Sequence, residues 1–195
     1  MKKILITGAT GFLGSRLVEK MSTINGLEIL ATGRTLKTQN ISNKSNLEYV
    51  LGNLEDTKFI DSITSGIDTI IHTAALSSQM GNPKDFHRTN IEVTKNLLKA
   101  AKAKRVKKFI FISSPSVYFR FKHQLELKES DILPKPINSY SYSKREAEKL
   151  VELSGIPYII LRPRALIGRG DKVIMPRILR AHNEGRLMRM GDETN

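Results

Sequence analysis

Short apolar, β-branched runs alternate along this chain with longer stretches whose apolar residues recur every three to four positions. The runs KILIT (Lys3–Thr7), EILAT (Glu28–Thr32), LEYVL (Leu47–Leu51), DTIIHT (Asp68–Thr73), KFIFIS (Lys108–Ser113) and YIILR (Tyr158–Arg162) have the length and composition of buried strands. The stretches Phe12–Met21, Glu55–Thr64, Lys84–Ala101 and Tyr140–Ser154 carry the helical period. Strand and helix in alternation predict an α/β fold, with a parallel sheet whose crossovers are helices. One segment breaks the rhythm. RTLKTQNISNKSN (Arg34–Asn46) is polar and Asn-rich, and predicts a loop in place of the second crossover helix. After Pro163 the chain turns basic and irregular, with one further helix expected over Pro176–Glu184 before the final GDETN. The pattern therefore divides the chain into a main domain, residues 1–165, and a short extension, residues 166–195.

Composition narrows the function classes. At 195 residues, 39% hydrophobic and 26% charged, the chain can bury one good core. No apolar run approaches the ~18 residues needed to cross a bilayer, so no membrane partner is expected. The opening MKKILITGATGFLG has a basic tip like a signal peptide, but Thr7, Gly8, Thr10 and Gly11 break its apolar stretch, and it reads as a first strand. Cysteine is absent, which excludes disulfides and thiol chemistry and suits the cytoplasm. His72, His87, His123 and His182 show no ligand spacing, so no metal site is expected. The net charge of +13 raises nucleic acid as a partner. Its densest run, Lys99–Phe109, lacks interleaved aromatics and fits a helix end whose lysines complement the dipole. No specific nucleic-acid binding is expected.

ITGATGFLG places Gly8, Gly11 and Gly14 directly after the first strand and into the first helix. In that context glycines permit a tight turn and bring backbone close to a pyrophosphate, which the helix N-terminus attracts. The spacing is G-x-x-G-x-x-G, with Phe12 and Leu13 inside the turn. At the end of the second strand, where a carboxylate would accept hydrogen bonds from an adenosine ribose, stands Arg34. A guanidinium there suits a 2′-phosphate and favours NADP, with Lys37 as a second cation. The alternative is NAD, with Arg34 a solvated loop residue.

In NSYSYSK, two tyrosines precede one lysine. On a helix the i+4 neighbour of Tyr140 is Lys144, whereas that of Tyr142 is Glu146. An ammonium lowers a phenol's pKa and a carboxylate raises it, so if either tyrosine is reactive it is Tyr140; the alternative at this point is a half-buried helix face.

The glycine turn, HTAA at the fourth strand end, SSPSVY after the fifth and YSYSK on the next helix occur in a familiar order. From Met1 to about Asp192 the sequence resembles the extended short-chain dehydrogenases/reductases, the NAD-dependent epimerases, dehydratases and 3β-hydroxysteroid-dehydrogenase-like enzymes. The resemblance implies a Rossmann-type doubly wound sheet of order 3-2-1-4-5-6 with a truncated substrate lobe. It implies a dinucleotide held by Gly8, Gly11, Phe12, Leu13, Gly14, Arg34, Asn53, Leu54, His72, Ala74, Ala75, Asn90, Tyr140, Lys144 and Pro163. Thr94 matches the pattern after Asn90, while Val93 replaces the family's glycine, Asn53 its aspartate and Phe119 the glycine that often follows VY. Ser114, Tyr140 and Lys144 align with the catalytic set, Ser113 and Ser116 serve as strand-end caps, and Tyr118 is expected to pack. The implied reaction is hydride transfer at a small-molecule carbon bearing a hydroxyl or carbonyl, with a homodimer left open. A non-catalytic NAD(P)-sensing module remains the alternative. Family members are considerably longer, so little turnover is expected of these residues alone.

Overall fold

A computed structural model describes residues 1–36, 44–78, 80–122 and 124–187. Lys37 and His123, the middle of the polar loop and the terminal GDETN lie outside the described residues. The chain divides into two compact units, Met1–Arg164 and Ala165–Asn195.

In the first unit six strands form one parallel sheet: β1 (Lys2–Thr7), β2 (Leu27–Gly33), β3 (Leu47–Leu51), β4 (Thr69–His72), β5 (Lys108–Ile112) and β6 (Tyr158–Leu161). Their order is β3-β2-β1-β4-β5-β6, the doubly wound Rossmann arrangement. Because all pairs are parallel, the six strands end on one edge of the sheet. Gly8, Arg34, Asn53, Ala74, Ser114 and Pro163 follow their carboxyl ends there, the edge at which open α/β sheets bind ligands.

Both faces of the sheet are covered, as parallel sheets require. On one face Leu5, Leu30, Ile70, Phe109 and Phe111 pack against α2 (Thr57–Thr64), α4 (Val93–Ala103) and α5 (Ser139–Glu152) through Ile60, Ile63, Leu97, Ala147 and Val151. On the other, Ile4, Ile6, Ile29, Ala31 and Ile71 cluster with Val18 of α1 (Phe12–Met21). Neighbouring residues of β1 thus serve opposite cores, as period-2 alternation dictates. Along β6, Tyr158, Ile159 and Leu161 remain exposed at the sheet's edge.

Local chemistry fixes the helix starts. Asp56 accepts the Lys58 N–H at 2.8 Å to cap α2, and Asn138 with Ser141 forms a reciprocal capping box on α5. The basic run from Lys99 ends α4 with Lys102 in its last turn. The chain then turns at Arg105, φ 57°, and enters β5. The single helix expected over Lys84–Ala101 is instead three pieces: α3 (Pro83–Phe86), a π-helical turn (His87–Glu92) and α4. A π-turn takes in one extra residue without ending the helix, and no Gly or Pro marks it among His87–Glu92. In the second unit α6 (Ile174–Asn183) is started by Asp171, whose carboxylate accepts the N–H groups of Val173, Ile174 and Met175.

Helix α1 meets the glycine turn through Gly14, where a Cβ would lie 2.2 Å from the Gly8 carbonyl oxygen. Backbone cannot move aside as a flexible side chain can. Gly14→Ala is therefore expected to lower stability by ~3 kcal/mol, at the upper end of overpacking costs. Urea unfolding measures it, and an unchanged midpoint would mean the helix tolerates a wider turn.

Candidate active site

The glycine turn opens a cavity at the carboxyl edge of the sheet. Gly8, Thr10, Gly11, Gly33, Arg34, Gly52, Asn53, Leu54, Glu55, Thr73, Ala74, Ala75, Thr89 and Val93 line it. Gly8 has φ +67°, and a Cβ there would sit 2.7 Å from the Ala74 nitrogen, so only glycine lets β1 turn this close to β4. At the start of α1 no side chain caps the helix and no acidic residue stands in its first turn. Its leading N–H groups, which have no intrahelical acceptors, suit an anion. Asn53 Oδ1 accepts the Glu55 N–H at 3.1 Å and so holds the β3–α2 turn at the cavity wall.

A second group of residues gathers beyond β5. Ser114 starts a 3₁₀ turn (Pro115–Tyr118), its Oγ accepting the Ser116 N–H at 3.2 Å. Its hydroxyl lies near enough to the Tyr140 phenol to act on that group's pKa. Tyr140 is half-buried against Phe86, ring centroids 6.4 Å apart, whereas Tyr142 is 49% exposed. The two tyrosines thus differ in burial. The pKa of Tyr140 is not the lowered one expected. Burial pushes the Tyr140 phenol up, and the group that pulls it back is Ser114. Lys144, 2% exposed, turns its ammonium to β5: Nζ donates to the Ile112 carbonyl at 2.6 Å and lies 4.2 Å from the Phe111 ring centroid. Sequence spacing puts Lys144 one turn from Tyr140 but cannot say where a long side chain ends.

Ser113 and Ser116 are not the caps that the sequence suggested. Their hydroxyls are buried and make no hydrogen bond among the described residues; Ser114 does the capping. Tyr118 does more than pack, since its hydroxyl accepts from Arg162 Nη1.

A buried polar relay joins the two groups. His72 is 1% exposed, and burial holds its pKa down at about 3, with Lys144 adding to the effect. It is therefore neutral, and its neighbours fix the tautomer. Thr94 Oγ1 donates its hydrogen to the Asn90 carbonyl at 2.7 Å, so it must accept from His72 Nε2–H at 3.1 Å. His72 Nδ1 then accepts from Thr7 Oγ1 at 2.7 Å, directly before Gly8. Farther along, Asn90 exchanges two hydrogen bonds with the backbone of Leu76, at 2.7 and 3.1 Å. It also donates to Ser143 Oγ at 2.9 Å, and Ser143 in turn bonds the Tyr140 carbonyl.

Residues 4–195 match the NAD dependent epimerase/dehydratase family. The chain belongs to that family. It is 34% identical to the uncharacterized protein YbjS of Escherichia coli K12, across 90% of this chain and 54% of that one. It is 28% identical to the 4-hydroxy-2-methyl-3-oxo-4-farnesyl-3,4-dihydroquinoline-1-oxide ketoreductase of Stigmatella aurantiaca, across 92% and 54%. Among solved structures, the UDP-glucuronic acid 4-epimerase of Bacillus cereus in complex with NAD superposes with a TM-score of 0.79 at 28% identity, covering 93% of this chain and 63% of the epimerase. The chain thus spans about half the length of the curated relatives it matches.

In this epimerase/dehydratase-family chain the sequence-derived residues separate by position. Gly8, Gly11, Arg34, Asn53, Leu54, Ala74 and Ala75 meet at the cavity. Phe12, Leu13 and Gly14 lie in the first turn of α1 rather than on the cavity wall, and Gly14 packs on Gly8. His72 and Asn90 sit behind the wall as buried supports. Pro163, half-buried, follows β6. Thr10, Gly33, Gly52, Glu55, Thr73, Thr89 and Val93 join the cavity without having been singled out for it. Thr10 stands inside the glycine motif and Thr73 inside HTAA, so for these two the signal was present. Among the described residues there is no cluster of three His, Asp or Glu able to hold a metal, and no helix long and apolar enough to cross a membrane.

The neutral His72 makes stability pH-dependent. Its folded pKa lies below the unfolded ~6.5, so the unfolded chain alone takes up a proton between those values, and stability falls with pH through that window. At about pH 4.5 the loss from this group alone is up to about 2–3 kcal/mol. Urea titrations at neutral and acid pH measure it, and His72→Gln should flatten the slope. An equally steep slope in that variant would assign the effect to other groups.

Proposed function

We propose that this chain holds a nicotinamide dinucleotide along the glycine turn and serves hydride transfer at a substrate carbon bearing a hydroxyl or carbonyl, with Tyr140 as the acid–base group. The observation that carries this reading is the placement of the half-buried Tyr140 phenol near enough to Ser114 to feel its hydroxyl, on the same sheet edge as the glycine-lined cavity. The residues present fit the cofactor. Gly8 and Gly11 give the pyrophosphate a close backbone, the uncapped start of α1 offers it N–H groups, and Asn53, Leu54 and Arg34 wall the adenosine end.

When bound, the dinucleotide supplies or accepts the hydride. Ser114 would donate to a substrate oxygen placed between it and Tyr140, steadying charge that develops there. Tyr140 gives a proton to that oxygen, or takes one, as hydride moves. Its raised pKa keeps it protonated, ready to donate, until a positive group draws near. Lys144 is that group, and would also hold the nicotinamide ribose. The chemistry accords with relatives named for ketone reduction and for epimerisation at carbon 4 of UDP-glucuronic acid.

Arg34, exposed at the cavity wall, favours NADP through its charge. NAD is the alternative, supported by its presence in the Bacillus cereus epimerase complex. A charge-assisted bond to a 2′-phosphate is worth ~1.5–3 kcal/mol, roughly tenfold to a hundredfold in affinity. Calorimetric titration should show NADP(H) bound tighter than NAD(H) by about that factor, with Arg34→Ala erasing the difference. Equal affinities in the parent chain would assign the site to NAD.

Tyr140→Phe should lower single-turnover hydride transfer by about 10²–10⁴-fold, the usual worth of a placed acid–base group, while cofactor affinity stays nearly constant. Tyr142→Phe should change little. Nicotinamide absorbance follows both. Loss in Tyr142→Phe with activity kept in Tyr140→Phe would overturn the assignment, and tight cofactor binding with no hydride transfer in the parent would point to a sensing module.

A further inference from the structure

Lys144 presents a problem of charge. Its side chain is 2% exposed, and around its ammonium stand the Ile112 carbonyl and the Phe111 ring from β5. A buried ammonium with only a dipole and a ring for company tends to shed its proton, yet the proposed role requires a cation. One helical turn along α5 lies Glu148, also 2% exposed. Its carboxylate is gripped by Arg162 at the end of β6, Nε to Oε1 at 2.9 Å and Nη2 to Oε2 at 2.8 Å. This is the bidentate geometry that holds a carboxylate most firmly. Arg162 is itself fixed, its guanidinium 4.8 Å from the centroid of the Tyr118 ring and bonded to the Tyr118 hydroxyl. Tyr118 ends the 3₁₀ turn that Ser114 begins. Glu148 is thus a buried carboxylate, locked to one place, on the same helix face as Lys144.

We infer that Glu148 is a positioning residue for Lys144, supplying the negative charge that keeps this buried side chain an ammonium, with Arg162 fixing where that charge sits. The inference rests on the reading of Lys144 given above. The titratable groups on the elements packed around α5 here are Tyr140 and Glu148 on α5 itself, neutral His72 on β4, Arg162 after β6 and Tyr118 in the 3₁₀ turn. Of the ionisable groups among them, Glu148 is the one that acts to raise the Lys144 pKa, which burial lowers to about 7. At such a value, loss of Glu148 would lower the charged fraction of Lys144 near neutral pH. A pair serving structure alone would tie α5 to β6 and leave Lys144 indifferent.

The test reads Lys144 without cofactor or turnover. In chain carrying ¹³Cε-labelled lysine, the Lys144 resonance, assigned by its loss in Lys144→Arg, is titrated by NMR. Glu148→Gln should move its midpoint down by about one pH unit or more. The double variant Glu148→Gln/Arg162→Gln, which leaves no buried charge orphaned, carries the test if the single variant does not fold, and should move the midpoint the same way. A midpoint unchanged in either folded variant would overturn the proposal and leave Glu148–Arg162 as a structural pair. A second arm measures NADP(H) affinity against pH in the same proteins. The limb that reports Lys144 should shift to lower pH by the same amount. Failure of the parent chain to bind either dinucleotide would count against the proposed function, while the NMR titration would still decide the role of Glu148.

Discussion

A neutral imidazole in the middle of the sheet's edge is the constraint on which the rest of this site depends. His72 can stay uncharged only because it is sealed from water, and it can stay sealed only because both ring nitrogens are satisfied. Satisfying them fixes Thr7 on one side and Thr94 on the other. Thr7 leads directly into the left-handed turn at Gly8. Thr94 leads through the Asn90 carbonyl to the π-turn, and from the Asn90 amide to Ser143 and the helix that carries Tyr140. An unpaired polar group inside this chain of contacts would cost about 1–3 kcal/mol. The cavity at one end and the tyrosine at the other are held in register by the same handful of hydrogen bonds.

The π-turn is the backbone's contribution to that arrangement. A continuous α-helix over the same residues would rotate the side chains beyond it by about one residue's worth of turn. Here the wider turn accompanies an Asn90 that reaches both Leu76, in the loop after β4, and Ser143 on α5. The neighbouring electrostatics follow a similar economy. Burial opposes ionisation of Tyr140 and of Lys144 alike. In the cofactor-free chain the phenol is kept protonated and the ammonium is drawn to a strand carbonyl. The two are neighbours on one helix face without yet being partners.

Much was legible in the residues alone. The six strands, helix α1 and the parallel architecture follow from apolar period and β-branched content, which record which faces are buried. The glycine motif could be recognised because positive φ and close backbone approach exclude other residues at Gly8, and because a strand precedes it and a helix follows. The spacing that sets Tyr140 one helical turn before Lys144, and Tyr142 before Glu146, was also legible in the residues. Arg34 was placed at the cavity by the same logic of strand ends.

Tertiary structure decided what spacing cannot carry. It set Gly14 directly against the carbonyl of Gly8, an approach that the glycine spacing allows but does not measure. His72 and Asn90 became supports behind the wall, since a residue's place in a motif does not reveal which way its side chain is turned. The lysine's direction, the phenol's raised pKa, the cap supplied by Ser114 and the grip of Arg162 on Glu148 all depend on contacts between strands and helices far apart in the chain. Sequence determined the elements and the chemistry available to them, because local periodicity and backbone sterics act over a few residues. The fold alone decided which of those groups are buried, charged or paired, because desolvation and hydrogen-bond geometry are properties of neighbours in space.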